Sequence, residues 1–489
     1  MKENMKTKII WGVYWGGIFI FFMLFFVLMH PILPFDTDDW LNIYLRRSPF
    51  PEWGGWNPIK VFPETIMPLC ADISGSVIYK ILGNYIESFK WVNAFVMSVM
   101  AALYIFISTR VFKKKLKDDG NYVSIMLGLL FLICHFLIFR SDIERNSYLL
   151  WEMSMTSYYN YILPDLLASI LTLWLVLDKT ILSINSNRVK NSIYIFLLYL
   201  SLNSNIFASV IPMAYIGTSL LMNLVERIRK RQFKIRLYIK VYLAELIFFL
   251  FWVISQVYEM NGIRATLIEK DHSLYVGIRD SVAILYRLAR EVNKYFIWLT
   301  IVIFVTTTIL VIIDKDKISF LKDIAGIIIS MMLTITYLII VCGRCGAEYL
   351  SRPGVFYGIA FYYLLFLMIC LKYITLQIEG IRTLFPLLTF FMLIEVKTAG
   401  ITFRESNIKG LSAKTVIAID EQIIDQFVKA EKDGKDSIIL YVPYFGEGDN
   451  FPIAKYGGNR ISDSLYFHGV IDYRIRVIEV IPDKNWTVH

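Results

Sequence analysis

Residues 9–40 read IIWGVYWGGIFIFFMLFFVLMHPILPFDTDDW, and the two parts of that stretch set the frame for everything after it. Ile9 to Met29 is apolar for long enough to cross the hydrocarbon core of a bilayer. It lacks a small-residue cleavage site and is too long for a signal-peptide core. It therefore reads as an anchor, with the short basic segment Met1 to Lys8 on the cytoplasmic side. Asp36, Asp38 and Asp39 follow at once. Carboxylates crowded this closely repel one another, so at a membrane edge they require a cation, a proton or a task.

Outward from that stretch the chain alternates between apolar runs and short polar connections. Over 489 residues, 56% are hydrophobic, and the mean hydropathy is +0.55. That composition implies an all-α polytopic membrane protein. Further spans are expected at Trp91–Thr109, Tyr122–Phe139, Ile162–Leu177, Leu237–Tyr258, Tyr295–Ile313, Ile324–Val341, Val355–Leu371 and Ile381–Val396. Ile193–Val225 is too long for one span and carries Asn203-Ser204-Asn205 near its middle. It reads as two short helices meeting at a polar break, for about eleven transmembrane helices in all. Within the outer loop of residues 30–90, Thr65–Phe89 repeats its apolar residues at helical spacing with polar ones between. The pattern predicts an amphipathic helix lying along the membrane surface.

The net charge of +9 does not call for a nucleic-acid partner, because the basic residues concentrate in alternate connections. Segment 225–240 holds seven lysines and arginines and segment 110–119 holds five, against two each in 140–160 and 342–354. By the positive-inside rule the N-terminus is cytoplasmic and the C-terminus outside, with the parity resting on the break at Asn203. The domain division is 1–397 in the membrane and 398–489 as a small extracytoplasmic α/β appendage. The appendage is read as a helix over Ser412–Lys432 and strands over Ser437–Pro443 and Arg474–Ile481. The five cysteines form no framework, and only Cys342-Gly-Arg-Cys345 has ligand-like spacing.

The chemistry is expected on the outer loops. Asp36, Asp38 and Asp39 are the catalytic candidates, as a general base or, for Asp38 and Asp39, as ligands of a divalent cation. The competing reading is a capping run for the helix beginning near Trp40, a role that needs only one of them. Arg352, at the head of a span, has the fork that grips a phosphate, against the simpler reading of an interfacial snorkelling arginine. Arg344 and Glu348 are expected to pair with each other or with Arg352. Asp142 joins Glu144 and Arg145 in a patch that is either neutralised or substrate-binding. Tyr159 and Asn160 sit in an aromatic run that either stacks on a sugar or belongs to an interfacial belt. The lone histidines His272 and His468 do not read as ligands. No glycine-rich nucleotide loop is present, so an activated donor is not expected to be a cytosolic nucleoside diphosphate sugar.

A first span followed by Asp38-Asp39-Trp40, then a surface helix, many spans and a small outer C-terminal domain resembles the GT-C superfamily of integral-membrane glycosyltransferases. The similarity is nearest to bacterial members that modify cell-surface polysaccharides. Membership implies a polyprenyl-phosphate-linked sugar as donor and a glycan or glycopolymer acceptor, joined on the outer face of the plasma membrane. It implies further that the acidic pair supplies the base or helps hold a divalent cation, Mg or Mn, and that Arg352 binds the lipid phosphate. Two other classes stay open. A transporter or flippase for such lipids predicts charged residues inside spans and a repeat between halves. A polymerase predicts a second glycan site within Glu259–Lys294.

Overall fold

The computed structural model describes residues 5–45, 61–114, 116, 120–140, 146–147, 149–150, 152, 154–178, 188–260, 273–314, 317–398, 411–446 and 450–488. Eight of the described helices are long and apolar enough to cross a membrane, and nine if the bent pair Ile235–Val241 and Leu243–Glu259 counts as one. The chain is thus an all-α polytopic membrane protein in outline. Three of the expected eleven are shorter here, Asn121–Leu137 and Gly380–Ile394 and Arg188–Leu202 with 15 residues, whereas Val61–Leu82, expected to lie along the membrane surface, is itself one of the eight long and apolar enough to cross.

Three helices make the centre. In Tyr85–Lys113, Met155–Asp178 and Pro353–Gln377, 56%, 78% and 83% of the apolar window is buried, against 17% in Lys294–Ile313 and 28% in Ile318–Cys345. The peripheral pair turns its aliphatic side chains outward, as a lipid-facing helix does. Tyr85–Lys113 and Pro353–Gln377 meet at Tyr104, whose ring packs with Tyr357 and Phe361 and whose hydroxyl lies 3.0 Å from His135 Nε2 on the adjacent Gly120–Leu137 helix.

Contacts between helix ends define two faces. On one, the ammonium of Lys114 reaches the carbonyls of Val176 and Leu177. Lys372 reaches those of Val111 and Lys114, and Lys190 pairs with Asp178. On the other face, Asp39 meets Thr156 and Asn205 meets Asn160. The expected break is there: Asn205 caps the Ile206–Arg229 helix by accepting from Phe207 N–H at 2.8 Å. Because its amide also donates to the Asn160 carbonyl at 2.6 Å, the break lies beside the start of the Met155–Asp178 helix, on the face of the aspartates.

The C-terminal segment occupies that same face. Ser412 caps the Ala413–Lys432 helix, and strands Ser437–Pro443 and Arg476–Asp483 pair in parallel. The Gly458–Phe467 helix between them, not anticipated from the sequence, supplies the crossover that parallel strands need. Thr37 Oγ1 donates to the Asn450 carbonyl at 3.1 Å and accepts from Ala454 N–H at 2.6 Å. Ser464 Oγ donates to the Trp40 carbonyl at 2.6 Å. The second strand is displaced from the expected Arg474–Ile481 by two residues at each end.

The continuous helix expected over Thr65–Phe89 is two helices. Gly83, at φ +70°, adopts the left-handed conformation that closes Val61–Leu82. Asn84 then caps Tyr85–Lys113 by accepting from Glu87 N–H at 2.9 Å, so Tyr85 and Phe89 belong to a central helix. The later half of Val61–Leu82 lies beside the C-terminal segment, with Gly75 against the ring of His468. Residues 46–60, with Arg46, Arg47, Trp53 and Trp56, lie outside the described residues.

Candidate functional site

The three aspartates have three fates. Asp36 caps the short Thr37–Asn42 helix, its carboxylate accepting from Asp38 N–H at 2.7 Å, so the capping reading holds for this one. Asp39 is fully buried. Its Oδ1 accepts from Thr156 N–H at 2.6 Å, and its Oδ2 from Phe35 N–H at 3.1 Å and Met155 N–H at 3.3 Å. It thereby ties the loop after the first span to the start of the Met155–Asp178 helix. Burial, and then the charge of Asp36, push the Asp39 carboxyl above the usual carboxylate range, while the bonds from Thr156 and Phe35 pull it back. Asp38 alone faces outward. Its side chain is 66% exposed and meets Arg460 Nη1 of the C-terminal segment at 3.2 Å.

The residues do not fit a divalent cation. Both oxygens of Asp39 are taken up by backbone N–H groups, Asp38 is paired with a guanidinium, and no group of three or more His, Cys, Asp or Glu converges among the described residues. A hard cation wants six or more oxygens, several of them carboxylates turned inward. That donor set is not assembled here.

Arg352 is exposed at the N-cap of Pro353–Gln377. Its guanidinium lies 4.7 Å from the Tyr349 ring centroid and contacts the phenol of Tyr161. Glu152, buried, accepts from Gly354 N–H at 3.1 Å and interacts with the buried Asp165. Glu348 pairs with Arg287 at 3.2 Å and not with Arg344 or Arg352, which corrects the expected pairing. The register explains it: the Leu274–Glu291 helix packs on Ile318–Cys345 so closely that a Cβ on Gly277 would lie 1.9 Å from the Gly343 carbonyl oxygen, bringing Arg287 to the 346–348 turn. That junction also borders a cavity of about 600 Å³ lined by Asp280, Arg287 and Glu348. Arg344 is exposed in the last turn of its helix.

Tyr159 is not placed to stack on a sugar. It is fully buried and donates to Asn93 Oδ1 at 2.7 Å. Asn160 is buried too, its amide donating to the Thr156 carbonyl at 2.9 Å. Both hold the helix start in shape, and the first turns of that helix are π-helical over Tyr158–Ile162. Asp142 lies outside the described residues, as do Glu144, Arg145, Trp151, Arg264 and His272. All five cysteines are free.

Sequence reading missed Arg460, Glu152 and Asp420. Asp420 is fully buried on the Ala413–Lys432 helix, and neither carboxylate oxygen has a hydrogen-bond partner among the described residues. Burial raises its carboxyl well above the ordinary range, and the charges of Asp39 and Glu421 raise it further. The signal was legible: Asp420 falls in the stripe of Val416, Ile423, Ile424 and Phe427, where an acid has no reason to be. The chain matches no family model, no curated protein and no solved structure.

Proposed function

We propose that the protein is a glycosyltransferase that moves a sugar from a polyprenyl-phosphate donor to a cell-surface glycan or glycopolymer on the outer face of a bacterial plasma membrane. In this reading the eleven-helix topology stands, with the N-terminus cytoplasmic and the C-terminal segment outside. The observation that carries the reading is the double use of one helix start. Thr156 holds Asp39, and five residues on, about 7 Å along the helix axis, Tyr161 meets Arg352. The loop that carries Asp38 and the guanidinium of Arg352 are thus held on one face, about 7 Å apart along one helix.

The reaction asks for those two groups. The acceptor hydroxyl attacks the anomeric carbon, its proton passes to a carboxylate, and the bond from that carbon to the phosphate oxygen breaks to release polyprenyl phosphate. Asp38 takes the proton, since Asp36 and Asp39 are occupied by N–H donors. Arg352 receives the leaving phosphate, which needs cationic help and no strong acid. With the protein in nanodiscs and a polyprenyl-phosphate sugar as donor, Asp38→Asn is expected to reduce transfer on the order of a hundredfold or more. Transfer at the wild-type rate in correctly inserted Asp38→Asn would end this assignment.

A second reading, a transporter or flippase for the same lipids, draws on Asp165. Its carboxylate is buried within a candidate span, with Oδ2 unpartnered among the described residues. Lipid-linked saccharide crossing proteoliposomes without any transfer product would favour it.

A further inference from the structure

We propose that Arg460 is a phosphate-binding position, so that the C-terminal segment completes the site. The proposal deepens the transferase reading by assigning a second cation to the phosphate side of the reaction. It stands on how the guanidinium is held. Nη1 donates to the Thr37 carbonyl at 3.1 Å and to Asp38 Oδ1 at 3.2 Å, which occupies both of its protons. The guanidinium Cζ lies 5.4 Å from the centroid of the Tyr456 ring. No other hydrogen bond reaches the guanidinium among the described residues, which leaves the Nε–H and Nη2 edge open. That edge grips two oxygens of a phosphate side by side. With the side chain only 25% exposed, the fork is already ordered, and binding forfeits little rotamer freedom.

The surrounding charges fit a phosphate engaged during turnover. Asp38 shares Nη1, and Asp463 is nearby but matched by Arg474 at 3.0 Å. The Asp38 carboxylate opposes an anion at the free edge until it takes up a proton. Proton transfer to Asp38 and tighter hold on the departing phosphate then occur together, on opposite sides of one guanidinium. The helix bearing Arg460 is fixed to the short acidic helix by the Ser464 bond to Trp40, so the fork cannot drift from Asp38 without unpacking that contact.

The test uses the full chain in nanodiscs, with binding of polyprenyl phosphate and of inorganic phosphate measured separately for wild type, Arg460→Gln and Arg460→Lys. Arg460→Gln is expected to weaken polyprenyl phosphate about tenfold or more. Arg460→Lys keeps a charge beside Asp38 and is expected to restore the melting temperature but not the affinity, because an ammonium has no fork. Arg460-dependent binding of inorganic phosphate assigns recognition to the phosphate group alone, whereas dependence seen only with polyprenyl phosphate assigns it to the lipid-borne ester. Wild-type affinity for both ligands in either variant overturns the proposal. The transfer assay separates the two readings. Arg460-dependent binding without transfer from any lipid-linked sugar sinks the transferase and leaves this site. Transfer by Arg460→Gln with an unchanged donor KM sinks this site and leaves the transferase.

Discussion

The two faces of the helix bundle use charge in opposite ways. On the lysine-rich face, cations are spent on helix ends: Lys114 and Lys372 donate to terminal carbonyls, and Lys190 meets Asp178. A cation at a helix C-terminus satisfies groups the helix leaves bare and meets a favourable dipole. On the aspartate face hydrogen-bonding capacity is left over. Asp420 has neither oxygen paired among the described residues, Asp38 is two-thirds exposed, and Arg460 keeps one edge open. A face whose cations end on helix carbonyls or on a carboxylate partner is finished as structure, and a face that leaves groups over is prepared for a ligand.

Removing Asp39 should break the comparison hardest. Three backbone N–H groups converge on that carboxylate, and Asp39→Ala leaves all three buried without an acceptor. The expected loss is about 3–5 kcal/mol, read as a large fall in melting temperature and in the yield of inserted protein. Asp39→Asn, which keeps an oxygen, should recover part of it. Equal melting of Asp39→Ala and wild type would mean that the clamp contributes nothing to the fold.

Asp420 sharpens the comparison through pH. Burial holds its folded-state carboxyl well above the ordinary 3.8, so the native state holds a proton that the unfolded chain releases. The corresponding stability is fully present below about 3.8 and is lost as pH rises through the folded value. Asp420→Asn carries no ionisable group there. The variant should melt close to wild type near pH 4 and higher than wild type above neutrality. Parallel melting curves across that range would show that Asp420 is ionised and matched in the folded protein.

The architecture was legible because bilayer physics writes it in runs. Apolar stretches locate the helices, lysines and arginines locate one face, and Asn203-Ser204-Asn205 marks a break that the structure places beside Asn160. The site was half legible. Asp36, Asp38 and Asp39 look alike in sequence and differ only through partners more than a hundred residues away, Thr156 for Asp39 and Arg460 for Asp38. No local pattern announces a backbone N–H that a carboxylate will find. Gly83-Asn84 did announce its break, as left-handed stop and side-chain cap, and the apolar period running across it concealed the signal.

The smallest effect is expected on the opposite face, where Lys372 is buried with its ammonium against the carbonyls of Val111 and Lys114. Lys372→Met keeps the length and apolar body of the stem while deleting the donor. Two terms then oppose each other: terminal carbonyls of Tyr85–Lys113 lose a charged partner, and a desolvated cation disappears. The first term is worth roughly 1.5–3 kcal/mol for a bond to a charged group, and the second returns part of it, so the net loss should be near 1 kcal/mol. Thermal melting of the solubilised variant reads that loss, and the transfer assay reads whether it spreads. Since Lys372 lies at the far end of the Pro353–Gln377 helix from Arg352, transfer at a temperature well below melting should be unchanged. A fall in transfer comparable to that of Asp38→Asn would show the two faces to be coupled through that central helix, and the division between a finished face and a prepared one would have to be given up.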